Sequence, residues 1–273
     1  MFPHPGNPAS RRLHQTLARL RGTRGWGIRR LLEGGLNIIA PPACLACRAP
    51  TATSGALCAD CWRRLDFIES PACPRSGRPL AYLDDVVKLQ GLPELIAQGP
   101  WENLRAAVAY GGVAKSLVRG LKYHDRHELA RLMASLMSRR LSDLLAPGVL
   151  VIPVPLHPRR LWQRRFNQSA LLAAQLAKKA AAAYAPRALR RVRVTTPQAR
   201  LSGPARRRNM RGAFRVPDAW RPRLEGRHIL LVDDVLTTGA TATACCQALR
   251  KARPARLDVA VFALAGGNVA LHK

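Results

Sequence analysis

The sequence predicts an α/β fold: a parallel sheet with helices on both faces, preceded by a small cysteine-rich region. Three observations lead there. From residue 105 onward, short apolar runs alternate with amphipathic stretches, the pattern of a parallel sheet covered on both sides. Residues 228 to 241, HILLVDDVLTTGAT, run an apolar strand into two carboxylates and then into a loop of small and hydroxyl residues. Five of the seven cysteines fall between Cys44 and Cys73.

Taken in order, the chain opens with 32 residues that hold seven arginines and no acid, and that start with Pro, Gly and Asn. No apolar stretch follows Arg11 and Arg12, so residues 1–35 read as a disordered basic arm rather than a secretion signal. IRRLLEGGLNII (28–39) carries a short amphipathic pattern broken by Gly34 and Gly35. Residues 36–100 are rich in Pro, Gly and Cys with no long periodic stretch, and 101–273 form the α/β domain.

Within that domain RAAVAY (105–110) predicts a strand, and residues 113–145 predict two helices that break near His124 and Asp125. VLVIPVP (149–155) is a short buried strand stopped by Pro153 and Pro155, which cannot donate to a ladder. FNQSALLAAQLAKKAAAAYA (166–185) predicts a helix with Asn167 or Ser169 near its start. RRVRVT (190–195) predicts a strand, and TPQARLSGPARRRNMRGAF (196–214) a long basic connection. HILLVD (228–233) is a strand, ATATACCQALRKA (240–252) a helix and RLDVAVFALA (256–265) the last strand. Ligands of such sheets bind at the C-terminal ends of strands. The loops after Val154, Val194 and Val232 are expected to meet there.

Charge narrows the partner. The chain carries 45 Lys+Arg against 16 Asp+Glu, a formal +29. An arginine-rich composition accounts for part of this. From Leu144 to Pro217, however, sixteen basic residues stand without one acid, a field that attracts phosphates. No run approaches the roughly 18 to 20 apolar residues of a membrane span, and the expected location is the cytoplasm.

The TTGAT turn between a strand and a helix makes a phosphate cradle from backbone N–H groups, the helix N-terminus and threonine hydroxyls. Gly239 permits the dihedral such a turn needs. Carboxylates repel phosphate, so Asp233 and Asp234 beside the cradle suit hydroxyl groups or a metal. A ribose 5-phosphate offers a phosphate and vicinal hydroxyls together. Turn and capping duty for the two acids leaves the doubled charge and three threonines unexplained.

ILLVDDVLTTGAT closely resembles the 5-phosphoribosyl 1-pyrophosphate (PRPP) motif of type I phosphoribosyltransferases. The resemblance implies that fold. It gives Asp233 and Asp234 the ribose 2- and 3-hydroxyls, and so the catalytic site. Thr237, Thr238, Gly239, Ala240 and Thr241 would hold the 5-phosphate. The competing Walker A loop is absent, because GGVAKS (111–116) lacks its second glycine. VIPVPLHPRRLWQRRFNQSALLA and TPQARLSGPARRRNMRGAF are further similar to signatures of the competence protein F (ComF) family, over roughly residues 36 to 265. That likeness makes Pro153, Val154, Pro155, Leu156 and His157 a pyrophosphate loop, with Arg159 or Arg160 supplying charge. The segment from Thr195 to Gly212 becomes a hood closing on the site, with Gln198, Arg200 and Asn209 as its contacts. Two departures stand out: the family has a glycine before FNQ where this chain has Arg165, and one after LKYH where it has Asp125.

The cysteines give C-x2-C-x10-C-x2-C, two knuckles able to close a tetrahedral zinc site from Cys44, Cys47, Cys58 and Cys61. Such a metal supplies folding energy to a core-poor region. Redox-active pairs are disfavoured, since neither opens a helix after a strand. The ComF likeness implies a second zinc site. Here Cys73 faces Ser76 where a cysteine is needed, so one ribbon is intact, the second is lost, and Cys73 is an orphan thiol. Cys245 and Cys246 read as small core residues. His124 and His127 fit no metal spacing, and Lys122 is balanced between an anion contact and plain solvation.

Two functions are expected on this basis. One is an enzyme that binds PRPP with Mg2+, held largely by the ligand's own oxygens and water, and moves phosphoribosyl to an acceptor with release of pyrophosphate. The alternative is a non-catalytic single-stranded-DNA-binding protein that uses PRPP only as a ligand. Its DNA surface would be Arg164, Arg165, Arg206, Arg207 and Arg208 with Arg159 and Arg160, and its partners other DNA-uptake proteins.

Overall fold

A computed structural model describes residues 41–79, 99–123, 126–193 and 210–265. The expected arm at 1–35, the hood contacts Gln198, Arg200 and Asn209, the cluster Arg206, Arg207 and Arg208, and His124 with Asp125 lie outside the described residues. The chain divides into two compact units. One holds the residues up to Cys44 with 48–58, the other 45–47 and everything from Ala59 onward.

The larger unit is built on a parallel sheet. Its elements in chain order are α1 (Ala59–Arg63), β1 (Leu104–Ala109), α2 (Gly112–Tyr123), α3 (Glu128–Arg140), β2 (Leu150–Pro153), α4 (Pro158–Arg164), α5 (Gln168–Lys179), β3 (Ala183–Tyr184), β4 (Arg190–Arg191), β5 (Phe214–Arg215), α6 (Arg221–Leu224), β6 (His228–Leu236), α7 (Ala240–Arg250) and β7 (Arg256–Leu264). Five strands pair in the order β1-β7-β6-β2-β3, all parallel. Residues 257–264 of β7 and 229–232 of β6 are all buried, as strands covered on both faces must be.

The order carries a functional consequence. From β2 the chain steps outward to β3, whereas from β6 it steps the other way to β7, which lies between β6 and β1. The direction reverses between the adjacent strands β2 and β6, where Ile152 pairs with Leu231 and Pro153 with Val232. Loops leaving two neighbouring strands in opposite senses open a crevice at their C-terminal ends. The two loops in question are 154–157 and 237–239.

Four local expectations are corrected. Of RRVRVT, the described residues place Arg190–Arg191 in a strand paired antiparallel with Phe214–Arg215, in a sheet of its own rather than the main one; Val194 lies outside the described residues. Helix α5 ends at Lys179 instead of running to Ala185. Ala181 turns left-handed (φ 49°) and Ala182 N–H donates to Ala177 C=O at 2.9 Å, closing the helix. Ala183–Tyr184 then pairs with Leu150–Val151; the open sheet edge outweighs alanine's helical preference. Strand β6 runs past Asp233 to Leu236, because β7 continues to pair it, Val235 with Ala263. Residues Pro158–Arg164 form a short helix rather than loop.

The free edge of β1 is covered by the segment after α1. Phe67 bridges Val108 antiparallel, Ile68 N–H donates to Ala107 C=O, and Ala109 N–H donates to Asp66 C=O. This blunts an edge that would otherwise pair with another chain.

Candidate functional site at the C-terminal edge of the sheet

Asp233 and Asp234 point to opposite faces of β6, as successive strand residues do. Asp233 is partly buried. Its Oδ1 accepts from Ser169 Oγ at 2.7 Å and from the Asp234 backbone N–H at 2.9 Å. Asp234 is nearly covered and its Oδ2 lies 2.6 Å from Lys122 Nζ. Burial chiefly, then the neighbouring Asp234 charge, pushes the Asp233 carboxyl up to about 7; Ser169, the Asp234 N–H and Lys122 oppose that rise. For Lys122, burial works against the charge, but Asp234 outweighs it and holds the ammonium above its ordinary range.

Three residues after Leu236 the chain turns. Gly239 is left-handed (φ 77°) and opens α7, with Thr243 N–H donating to its C=O at 2.8 Å. A side chain there would be strained, so glycine is required. Residues 235–242 with Asp233 line a concavity of about 60 Å³ at the N-terminal end of α7, the end of a helix that favours an anion. The five predicted cradle residues, Thr237 to Thr241, therefore form one surface with Asp233 on its rim.

The second predicted loop starts beside the acid pair. Val154 N–H donates to Val232 C=O at 2.9 Å, which pins the loop to the residue before the acid pair. Asn167 Nδ2 donates to Val154 C=O at 2.9 Å while its Oδ1 accepts from Ser169 N–H, capping α5. Asn167 and Ser169 thus tie the 154–157 loop to Asp233. Sequence reasoning used them only as helix-start residues; the signal was present in FNQS, but its target lies 64 positions away. His157 caps α4, accepting from Arg159 N–H. Arg159 is exposed and Arg160 partly so.

Arg165, where the ComF pattern has glycine, ends α4 in the left-handed region (φ 64°). That is the conformation glycine adopts freely and other residues at a cost on the order of 1 kcal/mol. The expected glycine is thus explained by backbone geometry, and the arginine is held there despite it.

The metal reading also has a geometric test. Ligand atoms of Cys44, Cys47, Cys58 and Cys61 all lie within 4.8 Å of one another. Zn–S bonds of about 2.3 Å imply sulfurs about 3.8 Å apart in a tetrahedron, so the four thiols fit a zinc ion. The Cys44 knuckle is a tight turn: Arg48 N–H donates to Cys44 C=O, Cys44 N–H to Ala49 C=O, and Ala43 bridges Pro50. Cys58 N–H points at Cys44 Sγ at 3.3 Å.

The same turn recurs 29 residues on with one cysteine instead of two. Gly77 N–H donates to Cys73 C=O, Cys73 N–H to Arg78 C=O, and Ala72 bridges Pro79. Ser76 sits where the second cysteine belongs and is 1% exposed. Arg75 secures this knuckle, donating to the carbonyls of Trp101 and Gly99 while Trp101 Nε1 donates to Arg75 C=O at 3.0 Å. Burial alone would raise the Cys73 thiol; hydrogen bonds to Ser76 and Arg75 and the Arg75 charge bring it below its usual range. Among the described residues the Cys44 cluster is the one group suited to a metal. Residues 80–98 contain neither cysteine nor histidine.

Comparison with known proteins agrees with this two-part reading. Residues 35–90 match the family described as double zinc ribbon domain, and residues 168–271 match the phosphoribosyl transferase domain. The chain is 36% identical over 228 residues to the DNA utilization protein YhgH of Salmonella typhimurium, covering 80% of this chain and 95% of the relative. It is 29% identical over 216 residues to competence protein F of Haemophilus influenzae, covering 76% and 90%. Among solved structures it is similar to the allosteric regulatory enzyme of purine biosynthesis (TM-score 0.34, 18% identity, 52% of this chain and 29% of that one). It is also similar to the hypoxanthine-guanine phosphoribosyl transferase of L. donovani (TM-score 0.30, 16% identity, 50% and 67%). No helix among the described residues is long and apolar enough to cross a membrane. At 36% identity over 95% of the DNA utilization protein YhgH, with both family models matched and competence protein F similar along most of its length, the chain belongs to the ComF family of phosphoribosyltransferase-like proteins with an N-terminal zinc ribbon.

Proposed function

We propose that the chain binds PRPP at the crevice between β2 and β6 and transfers its phosphoribosyl group to an acceptor, releasing pyrophosphate. The observation that carries this reading is Asp233 on the rim of the concavity formed by the Gly239 turn. A ligand needs both a phosphate and adjacent hydroxyls to use both. In this reading the α7 N-terminus and Thr237, Thr238 and Thr241 hold the 5-phosphate, and Asp233 and Asp234 accept from the ribose hydroxyls. The 154–157 loop, with Arg159 and Arg160, takes the pyrophosphate. Magnesium, when bound with PRPP, neutralises the diphosphate. The protein's share of catalysis is positioning and charge complementarity. Residues 1–35 would then be an accessory arm, 36–100 the zinc ribbon region and 101–273 the transferase-like domain.

Calorimetric titration of the whole chain with PRPP, with and without magnesium, tests the binding. We expect saturable binding strengthened by magnesium, and pyrophosphate release once an acceptor is supplied. Absence of binding overturns the reading, and binding without release for any acceptor reduces it to ligand recognition.

One observation favours a second role in holding single-stranded DNA, a role in keeping with the names of the DNA utilization and competence relatives. Trp162 is 85% exposed on α4, beside exposed Leu161 and flanked by Arg159, Arg160, Arg164 and Arg165. An indole free to stack among cations suits unpaired bases. Binding that neutralises Z phosphates weakens with salt at a slope of roughly −0.7Z. Trp162→Ala is expected to weaken binding at every salt concentration with the slope kept, whereas removing Arg164 and Arg165 makes the slope shallower. A slope indifferent to these arginines assigns the charge to composition alone.

A further inference from the structure

Lys122 links two parts of the molecule that the reading above does not connect. It lies in the last turn of α2, whose Leu117, Val118 and Leu121 are buried. That anchoring fixes where its ammonium can reach. The ion pair with Asp234 is short and shielded: 2.6 Å, with side-chain exposures of 23% and 9%. Removing one partner of such a pair leaves an uncompensated charge out of water.

We propose that Lys122 is the resident counter-ion of the site, a positioning residue whose contact with Asp234 offsets the repulsion within the acid pair and so favours its accepting from a ligand's vicinal hydroxyls. The inference rests on the diol-binding reading of the acid pair. Two carboxylates on consecutive residues repel each other, which favours uptake of a proton, and a cation beside them opposes that uptake. A protonated carboxyl offers a donor where a hydroxyl also donates, so the site then loses half its preference for a diol. Lys122 touches Asp234 Oδ2 from the α2 side, and Asp233 Oδ1 accepts from Ser169 and the Asp234 N–H, so Asp233 Oδ2 and Asp234 Oδ1 are the oxygens offered to a ligand.

The surrounding groups define what Lys122 must do. Arg164 from α4 repels it, Arg191 from β4 acts on Asp233 favourably, and the buried Cys245 thiol of α7 feels the Asp233 charge. Ser169 of α5 donates to Asp233. Among the described residues Lys122 is the cation in direct contact with the pair.

The test compares wild type, Lys122→Met and Lys122→Arg in two measurements from pH 6 to 9. The first follows the aspartate side-chain carbons by NMR without any ligand. The pair's titration is expected to move up by about one pH unit or more in Lys122→Met and to stay near wild type in Lys122→Arg. The second measures Mg-PRPP affinity. At pH 7 a shift of one unit from about 7 cuts the ionised fraction about 5-fold, so Lys122→Met should bind at least about 5-fold more weakly, regaining affinity as pH rises, while Lys122→Arg follows wild type. An unchanged carboxylate titration in Lys122→Met overturns the inference whatever PRPP does. Wild type that fails to bind PRPP while the titration moves sinks the PRPP reading and leaves Lys122 as counter-ion. Should Lys122→Met not fold, the wild-type ammonium signal decides. A Lys122 resonance that shifts where the aspartates take up a proton supports the pairing in solution, and one blind to it overturns it.

Discussion

Replacing Asp233 and Asp234 together by asparagine is expected to abolish PRPP binding while leaving the fold intact. Asparagine keeps the size and one acceptor oxygen but removes the charge that attracts two hydroxyl donors. Hydrogen bonds to a charged group contribute roughly 1.5–3 kcal/mol each, so losing two weakens binding by at least about 100-fold. Calorimetry with Mg-PRPP is the measurement, and unchanged affinity would mean that the acids face something other than a diol. Stability is expected to move the opposite way for Asp233→Asn alone. The folded-state carboxyl is raised from 3.8 to about 7, chiefly by burial and by Asp234. A group shifted upward stabilises the fold fully only while protonated; that contribution is complete below 3.8 and is lost as pH climbs through about 7. The asparagine cannot ionise, and it retains an oxygen for Ser169. The variant should therefore exceed wild type by roughly 1–2 kcal/mol at pH 8, with the gap closing towards pH 4. Thermal melts across that range check the sign. A stabilised variant that has lost its ligand is the signature of charge held in place for function.

The other large effect concerns the metal. Purified protein is expected to hold about one zinc per chain, bound by the four sulfurs that lie within 4.8 Å of one another. Ser in place of Cys44 or Cys61, both buried, should remove it and unfold the residues around the cluster, because metal binding supplies on the order of 10 kcal/mol to small sites of this kind. Limited proteolysis should then cut between residues 41 and 61 while the sheet stays resistant. Metal retained in either variant, or two zincs per chain, overturns the assignment. Two zincs would require a ligand set that Cys73 and buried Ser76 do not provide.

What was legible in the sequence was everything carried by local chemistry. The C-x2-C spacings announce their own metal because each knuckle is a self-contained turn, repeated hydrogen bond for hydrogen bond at Cys73. The VDDVLTTGAT segment is legible for the same reason: strand, acid pair and glycine turn are contiguous, and Gly239 takes the left-handed conformation its residue type suggests. Alternating apolar runs gave the parallel sheet, since strands buried on both faces leave no room for polar residues.

Tertiary structure decided what depends on distant partners. Lys122 could equally have been solvated; only the fold brings its ammonium 2.6 Å from Asp234. Ser169 and Asn167 read as helix-start residues until the crevice places them against Asp233 and Val154. The Arg190–Arg191 strand pairs across a long connection with Phe214–Arg215, outside the main sheet, and Ala183–Tyr184 leaves a helical sequence for an open sheet edge. In each case the deciding energy is a hydrogen bond or ion pair between residues far apart in the chain. A sequence displays the groups that can make such a bond, but which of them meet is set by the packing of the whole sheet.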